Sequence, residues 1–285
     1  MPSPVMLLRR SWGSISLTDT GAPLWWAQDE DGNLVCLDPY ASYHTFIAGI
    51  TRSGKSKGSQ SILIQLAKHS DIQVVGIDPA FGLLRPWREY SGRPQDFVLG
   101  TSEASLKASI ALVNAVVAEM EIRMANLGRR EKIDEFSVSQ PIIFCVLEEY
   151  SGLIESMTAW DKKQAAAFTG AVGRLLREGA KVGIRVFTIL QRAEAKTLHD
   201  RSQYGRRVSY AQDNTDSIRM MFDQAQPEDV ARMIALQPGR GVLREIGKPD
   251  FVWFQSPDMA YDEYYDRIGR YVFDQHTPLV GESDE

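Results

Sequence analysis

The chain has 285 residues, 44% of them hydrophobic, enough for one large α/β domain with a substantial core. Lysine and arginine number 32 against 37 aspartates and glutamates, a net charge of -5. That balance excludes a surface coated in basic charge and confines any nucleic-acid contact to a local strip.

The N-terminal apolar run 4–8 is too short for a signal peptide, and no stretch approaches the ~20 apolar residues that cross a bilayer. A soluble, cytoplasmic protein is expected, one that reaches a membrane or a virion only through partners. Residues 11–38 alternate as strands around turn signals. Asp31-Gly32, between Leu24-Trp25-Trp26-Ala27 and Leu34-Val35-Cys36-Leu37, marks a hairpin. Residues 1–40 are therefore expected as a β extension packed on a larger domain of residues 41–274, with 275–285 a disordered tail.

Tyr43-His44-Thr45-Phe46-Ile47-Ala48 reads as a buried strand and 59–68 as a helix. Between them, Gly49-Ile50-Thr51-Arg52-Ser53-Gly54-Lys55-Ser56 fills every position of G-x-x-x-x-G-K-[ST]. Strand, turn and helix in that order build a phosphate cradle, because the glycines let backbone N–H groups face the oxygens and the helix N-terminus adds partial positive charge. Gly49, Thr51, Arg52, Ser53, Gly54, Lys55, Ser56 and Lys57 are the candidate nucleotide-binding positions. Lys55 is expected to reach the β- and γ-phosphates of ATP, and the Ser56 hydroxyl to ligate Mg²⁺.

A second buried strand, 72–77, ends at Asp78-Pro79, and a short one follows at 97–99. Leu106, Ile110, Val113, Val117, Met120, Met124 and Leu127 form an apolar stripe of helical period that Gly128 stops. The stripe fits a core-facing crossover helix better than a coiled-coil seam. Further strands are expected at 141–147, 184–190, 207–210, 241–243 and 251–254. Helices are expected at 160–181, 215–222, 228–235 and 258–273. Strands alternating with helices predict a mainly parallel sheet covered on both faces. Cys36 and Cys145 lie in apolar runs as small buried side chains, and His44, His69, His199 and His276 show no zinc spacing.

Ligands of open parallel sheets bind off the carboxyl ends of the strands. Polar groups stand at four such ends: the loop from Gly49, Asp78, Glu148-Glu149 and Gln191. Adjacent carboxylates after the most apolar strand are costly unless they serve a cation or a proton transfer. Glu148 is expected to hold Mg²⁺ and Glu149 to orient or deprotonate the attacking water. Gln191 is expected beside the γ-phosphate. Asp78 either supports the site or caps the next turn.

These residues together resemble the motor domain of the FtsK/SpoIIIE branch of the FtsK–HerA ATPases, which pump double-stranded DNA. The correspondence runs over residues 25–243. It includes the hairpin, the phosphate loop, Ile77-Asp78-Pro79, Glu119-Met120-Glu121-Ile122-Arg123, the acidic strand end with Tyr150-Ser151-Gly152-Leu153, Gly183-Ile184, Gln191-Arg192, Asp216-Ser217 and Pro238-Gly239-Arg240-Gly241. Three departures stand out. Glu148-Glu149 replaces the family's Asp-Glu, Ala193 replaces the proline after Gln191-Arg192, and Val242 replaces the aspartate of a Gly-Arg-Gly-Asp segment.

The resemblance implies a RecA-like P-loop NTPase fold and a homo-oligomeric ring, expected to be hexameric. ATP would lie at subunit boundaries and duplex DNA in the channel. A neighbouring subunit would then supply an arginine, with Arg240 the first candidate and Arg207, Arg177 and Arg174 the others. DNA phosphates are expected on one of two basic patches, Arg201-Arg206-Arg207 or Arg129-Arg130-Lys132. Without the family's membrane segments and winged-helix reader of DNA polarity, a role in conjugative plasmid transfer or phage genome handling is expected. Two alternatives stay open: a secretion-system ATPase acting on polypeptide, and a weakly hydrolysing ring subunit, the latter because Glu148 stands in place of aspartate.

Overall fold

A computed structural model describes residues 24–193, 200–248 and 250–276. The strand alternation expected over 11–23 and the tail beyond residue 276 lie outside them. The described residues form one ten-stranded sheet. Its centre is six parallel strands in the order β8 (Arg206–Tyr210), β3 (Thr45–Ala48), β7 (Ile184–Leu190), β6 (Ile142–Leu147), β4 (Ile72–Asp78) and β5 (Phe97–Leu99). Beyond β8 the sheet continues antiparallel through β9 (Arg240–Glu245), β10 (Val252–Gln255), β1 (Leu24–Asp29) and β2 (Leu34–Leu37). The β1–β2 hairpin turns at Gly32, whose φ of 87° suits glycine, so the Asp-Gly signal reads correctly. The hairpin joins the sheet through β10, a partner more than 200 residues away in the chain.

Every residue of β6 and β7 is buried, as expected for strands covered on both faces; β6 is apolar throughout, and β7 is apolar but for Arg185 and Thr188. One face carries α3 (Glu103–Ala125), α4 (Tyr150–Trp160) and α5 (Lys162–Glu178), with α6 (Thr215–Met221) and α7 (Pro227–Ile234) beside them. The other carries α1 (Lys55–Leu66), α2 (Arg85–Tyr90) and α8 (Tyr261–His276). The stripe on α3 faces the core: Leu106, Val113 and Met120 are buried, and Ile110, Val117, Met124 and Leu127 pack against the same cluster. Among the described residues no helix is long and apolar enough to cross a membrane.

Three expectations need correction. The helix expected over 59–68 begins four residues earlier, at Lys55, because glycine and serine inside the phosphate loop weaken the apolar signal there. The helix expected over 160–181 is α5, Lys162–Glu178, followed by a 3-10 turn at Gly179–Val182, and α4, Tyr150–Trp160, precedes it where no helix was expected. Asp161 separates the two and caps α5 by accepting from the N–H groups of Lys163 and Gln164 at 2.8 and 3.1 Å. The helix expected over 258–273 runs instead from Tyr261 to His276, and so takes in the first two residues assigned to the tail.

His44, just before β3, is 2% exposed, and its Nδ1 accepts from the Val186 N–H at 2.9 Å. Burial, aided by the Arg185 charge, drives its pKa down to about 3. The imidazole is thus neutral in the fold but charges below pH 6.5 once unfolded. This stabilisation is present above pH 6.5 and is lost as pH falls toward 3, by at most about 5 kcal/mol. Urea midpoints measured between pH 7 and 4 should fall steeply for the wild type and less for His44→Gln. Equal slopes in the two proteins would contradict the assignment.

Candidate active site

The phosphate loop leaves β3 at Gly49, whose N–H donates to Leu190 O at 3.3 Å, while the Ile50 N–H donates to Ala211 O at 3.0 Å. The loop is thereby fixed to the ends of both neighbouring strands. Arg52 and Gly54 take left-handed φ values of 65° and 97°. At Gly54 a Cβ would lie 2.4 Å from the Gly239 nitrogen, so the position is closed to larger residues by backbone as well as by φ. Gly54 caps α1 with no side-chain hydrogen bond, and no acidic residue stands in the first turn. The first N–H groups of α1 therefore remain available to an anion.

Lys55 is buried, and its Nζ donates to Leu190 O at 2.9 Å and lies 3.9 Å from Glu149 Oε2. Burial lowers the pKa of Lys55, an effect that Glu148 and Glu149 oppose. Glu148 and Glu149 follow the buried β6, and the Glu149 N–H donates back to Glu148 Oε2 at 2.7 Å. Burial pushes Glu148 up to about 7; Lys55 opposes this, while Asp78 and Glu149 add to it. Glu149 has φ 46° and ψ 46°, a left-handed conformation that a non-glycine residue adopts at a cost of ~1–3 kcal/mol. This conformation starts α4 directly after the carboxylate pair.

All eight candidate nucleotide-binding positions except Gly49 line one cleft of about 720 Å³, together with Glu148, Glu149 and Gln191. The Ser53 hydroxyl is buried there without a partner. Ser56 and Glu148 both line the cleft, so hard oxygen donors of the kind Mg²⁺ selects are present in it. On the far side of Glu149 and Gln191 opens a second recess of about 450 Å³, lined also by Glu155, Arg192 and Asp213. Arg192 pairs with Asp213.

Asp78 does not face the cleft. It is fully buried and accepts from the N–H groups of Ala80, Leu83 and Leu84 at 2.7–2.9 Å, which makes it the cap of the turn after β4. Two walls of the cleft carried no sequence signal of their own. Gly239 donates its N–H to Ser53 O at 2.8 Å and accepts from the Ser256 N–H at 2.8 Å, so the turn before β9 clamps the loop. Residues 255–258 close the cleft beyond it, and Asp258 pairs with Lys57. Pro238-Gly239 figured only within the family pattern, and residues 255–258 in none.

The four arginine candidates occupy different settings. Arg174 pairs with Glu121 and Glu178 at 2.7 and 3.3 Å, and Arg177 with Asp200 at 3.0 Å. Arg207 donates to three carbonyls, those of Tyr204, Met221 and Arg201. Arg240 is exposed and lines a recess of about 550 Å³ on the other side of the Gly239 turn. One basic patch needs correction. Arg206 is 3% exposed and donates to Glu245 Oε1 at 2.7 Å, so it is an internal ion pair and no part of a surface. Arg129, Arg130 and Lys132 are exposed, with Lys132 bonded to Asp134 at 2.8 Å.

No family model matches the chain. It is 26% identical to the DNA translocase SftA of Bacillus subtilis across 97% of its length and 29% of the relative's. It is 25% identical to the DNA translocase FtsK of Mycobacterium leprae across 84% of its length and 29% of the relative's. The chain thus spans under a third of these relatives. Among solved structures, it superposes on the pCW3 conjugation coupling protein TcpA with ATPγS with a TM-score of 0.72 at 19% identity, covering 88% of this chain and 71% of that one. It superposes on two ATPase modules of EssC from Geobacillus thermodenitrificans with a TM-score of 0.67 at 14% identity, covering 92% and 50%. The chain is thus similar in sequence to DNA translocases of the FtsK type over nearly its whole length, and it has the α/β fold of the P-loop ATPases on which it superposes.

Proposed function

We propose that this domain hydrolyses ATP with Mg²⁺ in a homo-oligomeric ring, a hexamer, and uses the energy to move double-stranded DNA. The observation that carries the chemistry is the position of the Lys55 ammonium, between the end of β7 and the Glu149 carboxylate, at a helix N-terminus with no capping side chain. A nucleotide in the cleft would place its phosphates on the N–H groups of Lys55, Ser56 and Lys57. Lys55 then turns from Leu190 O to the β- and γ-phosphate oxygens, which releases the Glu149 carboxylate from its cationic neighbour. Glu149 takes the proton from the water that attacks the γ-phosphorus, Gln191 orients that water, and ADP leaves. Ser56 and Glu148 would hold Mg²⁺, which neutralises the phosphate oxygens.

The acidic recess beside Glu149 and Gln191 suits entry of an arginine from the next subunit. Arg240 is the candidate we favour, because Arg174 and Arg177 are in ion pairs and Arg207 is bonded to carbonyls. Residues 41–274 act as the motor, with 1–40 as its extension. DNA as the cargo is supported by the names of the sequence relatives. The EssC likeness, at 14% identity, speaks for the fold and not for a polypeptide cargo.

ATP hydrolysis should be measured with and without linear duplex DNA at low and moderate salt. The reading predicts strong stimulation by DNA that fades as salt rises. Turnover that ignores DNA but responds to peptide would replace it with the secretion reading. Tight binding without turnover would leave only a structural ring subunit.

A further inference from the structure

The strands that bracket the ATP cleft also carry an unusual pairing at their other end. β8 and β9 are antiparallel, and their register sets Tyr210 opposite Gly241 and Arg207 opposite Arg244. At the cleft end, Tyr210 packs on Gly49 so closely that a Cβ there would lie 2.7 Å from its own Cβ. At the other end, about 10 Å along the strand, two arginines face each other directly. Like charges in that position destabilise a sheet.

Arg201 joins them through its carbonyl, which accepts from Arg207 at 3.2 Å. Among the described residues no carboxylate lies within ion-pair distance of any of the three. Arg244 donates to the neutral amide of Gln224 at 2.8 Å, and Arg207 to the carbonyls already named. Carbonyls at the end of α6 account for part of the placement of Arg201 and Arg207, since cations suit a helix C-terminus. They do not account for Arg244. Burial lowers the pKa of Arg207, and the charges of Arg201 and Arg244 add to that against the opposing charge of Asp223.

Together with Glu245, whose carboxylate is paired with Arg206 and Lys248, Arg207 and Arg244 line a recess of about 150 Å³ between Gly205 and Gly247. That is about five times the ~30 Å³ share of a liquid water, room for a phosphate group. We infer that this recess, flanked by Arg201, binds a backbone phosphate of duplex DNA at the end of the sheet opposite the ATP cleft. The identity of the polymer rests on the function proposed above. The placement does not, and it adds Arg244, which sequence patterning had not marked, in place of the buried Arg206. One strand on each side, β8 and β9, then connects the phosphate recess to the walls of the cleft.

The test is anisotropy of a labelled linear duplex with the whole chain over a salt series, alongside thermal midpoints to verify folding. Arg244→Gln and Arg201→Gln should each weaken DNA binding about tenfold at low salt and reduce the log K against log [salt] slope by about 1, while Arg244→Lys keeps most of the affinity. Inorganic phosphate at constant ionic strength should leave DNA bound. If the wild type binds DNA and both glutamine variants bind with unchanged affinity and slope, the inference fails and the translocase reading survives. If the wild type binds no DNA at low salt, both fail. Displacement by dilute inorganic phosphate would make the recess a small-anion site and overturn the inference.

Discussion

Glu149→Gln should bind ATP within about twofold of the wild type and hydrolyse it about 10²–10⁴-fold more slowly, the usual loss when a general base is removed. The amide keeps the length of the side chain and its position 3.9 Å from Lys55 Nζ, but it cannot take a proton. It keeps the backbone N–H that bonds Glu148 Oε2 as well, so the left-handed start of α4 is preserved. The variant should therefore trap ATP, and single-turnover hydrolysis with a filter-binding measurement of bound nucleotide checks it. Wild-type turnover in Glu149→Gln would move the proton transfer to Glu148 or to another group.

Lys55→Ala should weaken ATP binding by about 10–100-fold, as expected for loss of a charge-assisted hydrogen bond worth ~1.5–3 kcal/mol, and reduce hydrolysis to background. The ammonium is buried and reaches Leu190 O at 2.9 Å, so the alanine removes a cation held inside the cleft. Lys55→Arg should not rescue the loss, because the planar guanidinium cannot occupy the place of a compact ammonium among packed backbone. Calorimetric titration with a non-hydrolysable ATP analogue measures the first effect. Unchanged affinity in Lys55→Ala would mean that the nucleotide sits elsewhere.

The parts of this architecture that depend on local pattern were legible in the residues. Ile184–Leu190 reads as a strand residue for residue because its apolar residues, broken only by Arg185 and Thr188, suit a strand covered on both faces. The phosphate loop is likewise a local feature, since its glycines answer to backbone angles within eight residues. What stayed hidden depends on partners far away in the chain. Arg206 and Arg207 look alike in sequence, yet period-2 alternation turns one inward to Glu245, 39 residues on, and sets the other against Arg244. The Lys57–Asp258 pair spans 201 residues, and no pattern near either residue marks it. Asp78 illustrates a different limit: at the end of a parallel strand a carboxylate can serve the ligand or the turn, and only its three N–H donors decide for the turn. The start of α4 was obscured because a left-handed glutamate followed by Tyr150-Ser151-Gly152 carries turn residues where a helix begins.

The most direct test of an ATP-driven DNA motor is displacement of a third strand from linear duplex DNA. With ATP, the wild type should release a bound triplex-forming oligonucleotide, and neither the Glu149→Gln protein nor a non-hydrolysable analogue should do so. DNA-stimulated hydrolysis that leaves the third strand in place, or release that needs no hydrolysis, would contradict the account.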